Sequence, residues 1–444
     1  MLRALVIAAV CAGSVVGPAS GQAFFTLKGH GGPIMDIAVS PAGQIATASF
    51  DNSVGLWDGT APAWFEGHRA AVNTVGFWSD DVFASGGDDF KVWLWSTAEG
   101  AGRPVAEHTA KVTDVAFGPD GQTMATASWD TTIGLTLVTG QDGPMADWQA
   151  TRRKLTGHKA GVNAVTFSGD GKTIYSASVD GTIRSWRFDG PQVVSNVIVK
   201  HGFGVNELIV NDAAGWLAYG ATDGGTRIID LETRAQIADF TLGRRPILAM
   251  AYSDVTQTLA VGDGQGYIML IDTEARKITH DFRASRSGPV WALAFSPDGR
   301  SIHAGGIEDI MYSWPVDTMS ALEPMAGGTR SFLEKPESLP NGERQFKRKC
   351  SICHTLTAGS ARKAGPSLHG LFGRKAGTVP DYSYSPTLDT SEIVWSAETI
   401  NGLFDLGPDH FIPGSKMPMQ RIVKKQDRDD LIDYLRVHTA QGED

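Results

Sequence analysis

Residues 47–58 read Thr-Ala-Ser-Phe-Asp-Asn-Ser-Val-Gly-Leu-Trp-Asp, and this stretch recurs in the first three hundred residues of the chain. A histidine precedes the aspartate in each full copy, and apolar residues alternate with polar ones between the two, as expected of half-buried strands. Successive copies lie roughly forty residues apart, which is the period of four-stranded propeller blades. An insertion around residues 141–154 lengthens the interval between the third and fourth copies.

The four strongest copies share a histidine, a serine or threonine, and an aspartate, and three of them add a tryptophan. These sets are His30/Thr47/Asp51/Trp57, His68/Ser85/Asp89/Trp95, His108/Thr126/Asp130 with Thr136 in place of tryptophan, and His158/Ser176/Asp180/Trp186. Three weaker copies end near Asp230, Asp272 and Trp314. Residues 24–318 thus resemble the WD-repeat family in seven copies, which implies an all-β seven-bladed propeller.

The resemblance implies that each full set forms a buried hydrogen-bonded tetrad. A buried imidazole and a buried carboxylate must satisfy each other, or each costs several kcal/mol. A Ser-His-Asp catalytic triad is the alternative interpretation. Because the same triplet recurs in several copies, which a single active site would not do, we expect a structural role.

The last copy ends after its third strand, at residues 310–316. Residues 24–28 are therefore expected to supply the missing fourth strand and to leave no open sheet edge. The glycines at 262, 264 and 266 indicate a hairpin turn rather than a nucleotide loop, because no helical pattern follows them. Three histidines outside the full tetrads are candidates for the channel lining, although isolated histidines are weak evidence for a metal: His201, His280 and His303.

The repeat pattern stops at residues 319–338, where prolines and glycines indicate a linker. Beyond it stands Cys350-Ser-Ile-Cys353-His354, the C-x-x-C-H signature of c-type haem attachment. Each thiol adds to one haem vinyl group, and the histidine is then placed as the proximal iron ligand. A zinc ribbon would need a second pair of ligands, and no cysteine follows Cys353. A thioredoxin-type dithiol would need a βαβ setting. We therefore expect one covalently bound haem c with its iron.

Residues 339–442 resemble class I cytochromes c of the mitochondrial and alphaproteobacterial type, which implies an all-α cytochrome c domain at 339–444. The resemblance implies His354 as proximal ligand and Met417 as distal ligand; Met419 and, less strongly, His410 and His438 are alternatives. It also implies that the carbonyl of Pro366 accepts a hydrogen bond from His354. Four further positions match residues that hold the haem propionates in that family: Arg374, Tyr384, Trp395 and Ser415.

The sequence departs from that family at two places near the haem. Phe404 stands where a tyrosine usually bonds the methionine sulfur, so the reduction potential and the ease of Met417 displacement should differ. Voltammetry and a pH titration of Phe404→Tyr would test this, and no change in either would contradict it. The family's asparagine is also missing around Leu388.

Basic residues flank the haem motif and predict a positive rim for acidic redox partners. They are Arg344, Lys347, Arg348, Lys349, Arg374, Lys375, Lys416, Arg421, Lys424 and Lys425. A solvated surface is the simpler interpretation for most of them. Residues 339–444 carry fourteen basic and thirteen acidic side chains, whereas the whole chain carries a net charge of −10. The acidity therefore lies mainly in the propeller, and it argues against nucleic acid as a partner.

Residues 1–23 are typical of a cleavable export signal. Arg3 precedes a largely apolar run from 4 to 16, and small residues end the segment at Ala23. The run is shorter than the roughly 18–20 residues that span a bilayer. Haem attachment of this type also takes place outside the cytoplasm, so we expect a periplasmic protein without a transmembrane segment. Cleavage would leave only the two haem cysteines, and hence no structural disulfide.

Three functions are compatible with these features. The first is an electron carrier that passes single electrons through a His/Met haem, with the propeller as a platform for redox protein partners. The second is a redox enzyme whose propeller holds another cofactor, by architectural analogy with haem-containing nitrite reductases. The third is a haem-based regulatory or assembly protein. We favour the carrier, without a catalytic site, because no further ligand cluster stands out in the sequence.

Overall fold

The structure is a computed structural model that describes residues 23–139, 145–189, 192–285, 288–321, 339–359, 362–380, 382, 384–417 and 420–440. The predicted export segment up to residue 22, most of the predicted linker, and Met419 lie outside these ranges.

Seven four-stranded antiparallel sheets form a propeller, as predicted. Blades 1 to 3 are formed by β2 (Ile34–Val39), β3 (Ile45–Ser49), β4 (Ser53–Asp58), β5 (Ala61–Glu66), β6 (Val72–Phe77), β7 (Val82–Gly87), β8 (Lys91–Ser96), β9 (Ala101–Glu107), β10 (Val112–Phe117), β11 (Thr123–Ser128), β12 (Thr132–Thr139) and β13 (Gln149–Thr156). Blades 4 to 6 are formed by β14 (Val162–Phe167), β15 (Thr173–Ser178), β16 (Thr182–Asp189), β17 (Gln192–Lys200), β18 (Val205–Asn211), β19 (Trp216–Ala221), β20 (Thr226–Asp230), β21 (Gln236–Asp239), β22 (Ile247–Ser253), β23 (Thr258–Asp263), β24 (Tyr267–Asp272) and β25 (Lys277–Arg283).

Blade 7 closes the ring with a strand from the other end of the propeller. It contains β26 (Val290–Phe295), β27 (Ser301–Gly306), β28 (Ile310–Pro315) and β1 (Phe25–Lys28). The first strand pairs with β28 in antiparallel register, Phe25 opposite Ser313 and Lys28 opposite Ile310. The predicted closure is thus confirmed, and it removes the sheet edge that the last repeat would otherwise expose.

The predicted tetrads are present and hydrogen-bonded. In blade 1 the Trp57 indole N–H donates to Thr47 Oγ1 at 2.8 Å, and His30 Nε2 lies 2.7 Å from the same oxygen. His30 Nδ1 lies 2.8 Å from Asp51 Oδ2. A neutral imidazole completes this series of hydrogen bonds, because it accepts one from the threonine hydroxyl and donates one to the aspartate. The sets around His68 and His158 repeat it, with Ser85 and Ser176 as the central hydroxyls.

Blade 3 has the tetrad without its tryptophan. His108 lies 2.8 Å from Thr126 Oγ1 and 3.0 Å from Asp130 Oδ2. Thr136 occupies the tryptophan position and is fully buried, and its hydroxyl has no hydrogen-bond partner among the described residues. An apolar side chain of the same shape would therefore suit this position as well.

The histidines outside the full tetrads do not line the central channel, so that expectation was wrong. His201 Nε2 lies 2.9 Å from Asp223, and its other nitrogen accepts from Arg227, so blade 5 keeps a variant of the tetrad. His280 lies on β25, the outer strand of blade 6. His303 is buried in β27, where burial lowers its pKa to about 4.

Side chains on the innermost strands link neighbouring blades around the channel. Asp36 accepts the Val75 N–H of the next blade at 2.9 Å, and Asp114 accepts the Val165 N–H at 2.8 Å. Burial raises the pKa of Asp36 to about 6 and that of Asp114 to about 7. The amides of Asn73, Asn163 and Asn206 donate to backbone carbonyls of their neighbouring blades. These inter-blade bonds give Asp36 and Asp114 a structural role.

The C-terminal domain is helical, as predicted. It contains α1 (Asn341–Lys349), α2 (Pro386–Asp389), α3 (Ala397–Leu406), α4 (Pro408–Phe411) and α5 (Lys425–His438). The first and last helices cross closely at Gly342. A Cβ at this position would lie only 2.1 Å from the Asp430 carbonyl oxygen, so the crossing leaves no room for a side chain. Phe346 and Tyr434 pack together at this crossing, with ring centroids 5.6 Å apart. Within the described ranges, no helix is both long and apolar enough to cross a membrane.

Candidate haem site

A cavity of about 510 Å³ opens into the C-terminal domain, within the size range of cofactor sites. All nine predicted site residues line it: Cys350, Cys353, His354, Pro366, Arg374, Tyr384, Trp395, Ser415 and Met417. Residues up to 67 positions apart in sequence, from Cys350 to Met417, are thus brought to one place, as the resemblance implied. Their individual roles remain predictions.

The C-x-x-C-H motif continues the helical path of α1 for one more turn. The N–H of Cys350 bonds the Phe346 carbonyl at 2.8 Å, and the His354 N–H bonds the Cys350 carbonyl at 2.8 Å. This turn places both cysteines and the histidine at the cavity. Burial raises the pKa of Cys350 to about 12 and that of Cys353 to about 11, so both are neutral thiols.

The His354 imidazole has a fixed tautomer. Its Nδ1 lies 2.8 Å from the Pro366 carbonyl oxygen, which can only accept, so Nδ1 carries the proton. Burial lowers the pKa of His354, which keeps the ring neutral. The lone pair on Nε2 is then available to a metal, and the carbonyl bond increases its basicity.

The residues predicted to hold the propionates are anchored by backbone bonds at the cavity. Arg374 donates to the carbonyls of His369 at 2.5 Å and Ser367 at 2.9 Å. The Tyr384 hydroxyl accepts the Val379 N–H at 3.3 Å. Ser415 Oγ accepts the Met417 N–H at 3.0 Å. Nearby, Ser385 Oγ lines the cavity, is buried, and has no partner in the described part of the chain.

Met417 and Phe404 both line the cavity, and Phe404 is only 5% exposed. The phenyl ring offers no hydroxyl to the Met417 sulfur. Phe404 therefore lies at the cavity without the hydroxyl that the family's tyrosine would offer to the methionine sulfur. His410 is exposed and sits 3.0 Å from Asp409, and His438 stacks on Tyr434. Neither of these histidines is among the cavity residues.

Several side chains of the predicted basic rim are engaged in contacts within the molecule. Three of its members form ion pairs with acidic neighbours, namely Lys347 with Glu343, Lys375 with Glu392, and Lys425 with Asp429. Arg374, Lys349 and Lys416 line the cavity itself. Burial lowers the pKa of Lys416, and the positive charge of Arg69 in the propeller lowers it further.

Sequence reasoning missed three residues that shape the cavity. Tyr382 donates to the Ala364 carbonyl at 2.6 Å and lines the cavity beside Tyr384. Lys363 donates to the carbonyls of Ser351 and Ile352, within the haem motif itself. Gly365 lies directly against the His354 ring. The Tyr-Ser-Tyr spacing could have revealed Tyr382, because alternate residues of an extended segment share one side.

These observations fit a covalently attached haem. The cavity offers two neutral thiols beside an imidazole with a free Nε2 lone pair, a thioether, and unpaired polar groups such as Ser385 Oγ. Cys350 and Cys353 would hold the vinyl carbons, and His354 and Met417 would hold the iron. Arg374, Tyr384, Trp395 and Ser415 would face the propionates. Within the described ranges, no group of three His, Cys, Asp or Glu side chains is arranged to hold a metal ion.

Two known families match separate parts of the chain. The family described as "WD domain, G-beta repeat" matches residues 21–58, 60–96, 103–135, 149–187 and 276–314. The "Cytochrome c" family matches residues 339–439. The first four blades and the last are thus matched, whereas the fifth and sixth have diverged further.

Several curated cytochromes c match about a quarter of the chain and nearly the whole of their own length. Cytochrome c of Sesamum indicum is 44% identical over 105 residues, which are 24% of this chain and 94% of the sesame protein. Cytochrome c of Ginkgo biloba is 43% identical over 112 residues, which are 25% of this chain and 98% of its own length. Cytochrome c of Cochliobolus lunatus is 44% identical over 98 residues, 22% of this chain and 90% of the fungal protein. The C-terminal domain therefore implies a covalently attached haem c with iron.

Proposed function

The chain belongs to the cytochrome c family through its C-terminal domain, and from this premise we propose that it carries single electrons between redox proteins. The domain suggests an electron-transfer haem protein and the WD40 propeller suggests protein interaction; neither is a known catalytic domain. The observation that carries the proposal is the convergence of both cysteines, His354 and Met417 on one cavity. If His354 and Met417 both held the iron, as predicted, they would leave no iron site for a substrate.

The residues of the chain serve a carrier by keeping the site rigid. A bound haem supplies reversible one-electron exchange at its iron. The Pro366 carbonyl holds the His354 ring in one orientation and tautomer. The buried side chains of Phe404, Leu403 and Ile400 exclude water from the cavity. Fast electron exchange requires that the protein rearrange little when the charge of the haem iron changes.

The propeller would act as the platform for protein partners. A closed ring of seven blades presents loops on both faces, and it is held together by its own tetrads and inter-blade bonds. Its acidic balance complements a basic partner surface. Connected to the haem domain by the linker, such a platform would raise the effective concentration of a bound redox partner.

We place the protein in the periplasm. The support is the sequence of residues 1–23, with Arg3 before an apolar run and small residues at its end, together with the need for haem attachment outside the cytoplasm. The mass of the mature protein from an exporting host tests this placement. A chain that begins at Phe24 is expected, and an intact N-terminus would contradict it.

The test of the carrier function is the optical spectrum, with the haem and metal content, of protein made in a host that matures c-type cytochromes. One haem c per chain, with the weak red band of a ferric haem bound by methionine sulfur, is the expected result. A second chromophore or a stoichiometric extra metal would instead indicate an enzyme. Rapid binding of carbon monoxide in place of methionine would indicate a regulatory haem.

A further inference from the structure

The haem cavity is not enclosed by the cytochrome domain alone. Loops from one face of the propeller complete its wall, at blades 1 to 3. These loops either join the second and third strands of a blade or enter a new blade, and antiparallel strands bring both kinds to the same end. We call this surface the capping face, and its residues at the cavity are Phe50, Asn52, Arg69, Ala70, Ala71, Asp88, Phe90, Ala110, Lys111 and Trp129.

The capping face carries two large aromatic side chains that remain partly exposed. Phe90 is 40% exposed and Trp129 is 49% exposed, although both border the cavity. Lys111 lies 3.6 Å above the Trp129 ring, and the Trp129 indole donates to Asn163 at 3.0 Å. Both contacts hold the indole in one orientation at the edge of the cavity.

A specific contact joins the two domains beside the haem motif. Arg362 forms an ion pair with Glu66 at 2.5 Å, and its guanidinium stacks on the Trp64 ring at 4.0 Å. Trp64 is held in turn by the blade 1 tetrad, with its ring 4.8 Å from that of His30. The neighbour of Arg362, Lys363, bonds the backbone of the haem motif. The contact therefore connects a rigid blade to the segment that carries the haem.

We propose that the capping face is a docking surface for the chain's own cytochrome domain, and that it gates electron exchange with other proteins. In the closed arrangement the propeller covers the cavity mouth, which is the side at which Lys349 and Lys416 would otherwise meet a partner. An external protein reaches the haem when the two domains separate. The inference rests on the proposed carrier function.

The Arg362–Glu66 pair gives this gate a weak latch. Glu66 is largely exposed, so its ion pair is worth little and the closed arrangement opens readily. Breaking such a pair shifts an open–closed equilibrium by roughly two- to fivefold. A gate of this kind responds to a partner that binds the propeller, because such binding competes with the cytochrome domain for one face.

The test compares Glu66→Arg with the unaltered holoprotein. The reduced protein is mixed in a stopped-flow instrument with an acidic blue-copper protein, and separately with p-benzoquinone. The variant is expected to react roughly two- to fivefold faster with the protein oxidant and at the unaltered rate with the small one. X-ray scattering of the same samples should show a larger radius of gyration for the variant.

Two further variants control for charge and for the identity of the contact. Glu232→Arg makes the same charge change in blade 5, where the side chain forms no ion pair within the described residues, and it should change neither rate nor scattering. The swap of Glu66→Arg with Arg362→Glu restores the pair, and should restore the radius of gyration.

The outcomes separate the two proposals. A holoprotein that exchanges electrons with neither oxidant refutes the carrier function. If it reacts with both, and Glu66→Arg changes neither the ratio of the two rates nor the scattering, the gate is refuted. A swap that fails to restore the radius of gyration refutes Arg362–Glu66 as the latch.

Discussion

Gly365 lies against the proximal histidine, and a single methyl group there should disturb the haem site. A Cβ on Gly365 would lie 2.4 Å from His354 Cε1, 2.7 Å from Nδ1 and 2.8 Å from Nε2. Ordinary contacts begin near 3.4 Å, so the ring or the loop must move by about 1 Å. The glycine is not required by its backbone, because its φ is not in the left-handed region. A glycine is needed at position 365 because the His354 imidazole lies too close to leave room for a Cβ.

The expected cost of Gly365→Ala follows from this displacement. Overpacking of a well-packed site costs about 1–3 kcal/mol, and each kcal/mol lowers the melting temperature of a domain of this size by roughly 4–8 °C. The movement also strains the 2.8 Å bond from His354 Nδ1 to Pro366, the residue next to the substitution. We therefore expect both a lower stability and a weakened axial ligation, seen as a high-spin fraction in the ferric spectrum.

The assay is a urea titration of the holoprotein followed by haem absorbance, with the ferric spectrum recorded before denaturation. Gly169→Ala is the matched control, because a Cβ there lies 3.8 Å from its nearest neighbour and the position is exposed. The control should keep the midpoint and the spectrum. If Gly365→Ala kept both as well, the close packing of the proximal ring would be refuted.

Three further predictions concern the propeller, and urea unfolding followed by tryptophan fluorescence checks each. Ser85→Ala should destabilise by about 2–4 kcal/mol while leaving the haem spectrum unchanged, since it removes the partner of His68 and Trp95; a small loss would argue against the tetrad. Thr136→Val should stabilise by about 1 kcal/mol, because it replaces a buried hydroxyl that has no partner in the part of the chain the structure describes, and a clear loss would contradict this. His303 has its pKa lowered to about 4, so the unfolded state takes up a proton first as pH falls below about 6.5; stability should drop by about 1.4 kcal/mol between pH 8 and 5.5, and His303→Leu should remove that part of the drop.

The sequence predicted the parts of the fold whose chemistry repeats. A tetrad needs four residue types at fixed spacing within one blade, so Asp51 and Trp57 identify blade 1 without any structural information. The haem motif is likewise local, and its spacing follows from the vinyl groups. Blade 5 was harder to recognise because its tetrad is incomplete. His201 still pairs with Asp223, but its other nitrogen accepts a hydrogen bond from Arg227, where the full tetrads have a serine or threonine hydroxyl.

Positions outside a repeated motif were predicted less well. The channel assignment of His303 failed because a strand pattern gives only the alternation of sides, and in blade 7 both sides of β27 are buried. Asp36 and Asp114 were not recognised at all. Their function depends on a backbone N–H in the next blade, 39 and 51 residues away, and this contact leaves no pattern in their own repeat.

The same reasoning explains why the contact between the domains is invisible in the sequence. Arg362 and Glu66 are 296 residues apart, and each alone is an ordinary exposed charge. Only the folded chain shows that the charge of Arg362 is taken up within the molecule, beside the haem motif and over Trp64. Arg362 is not part of the basic rim predicted from the sequence, but two members of that rim, Lys349 and Lys416, border the cavity that the propeller loops help to line. Under the proposed gate, a partner that binds the capping face would displace the cytochrome domain and expose the haem site to an electron acceptor, which would make the propeller a regulator of electron transfer as well as a platform.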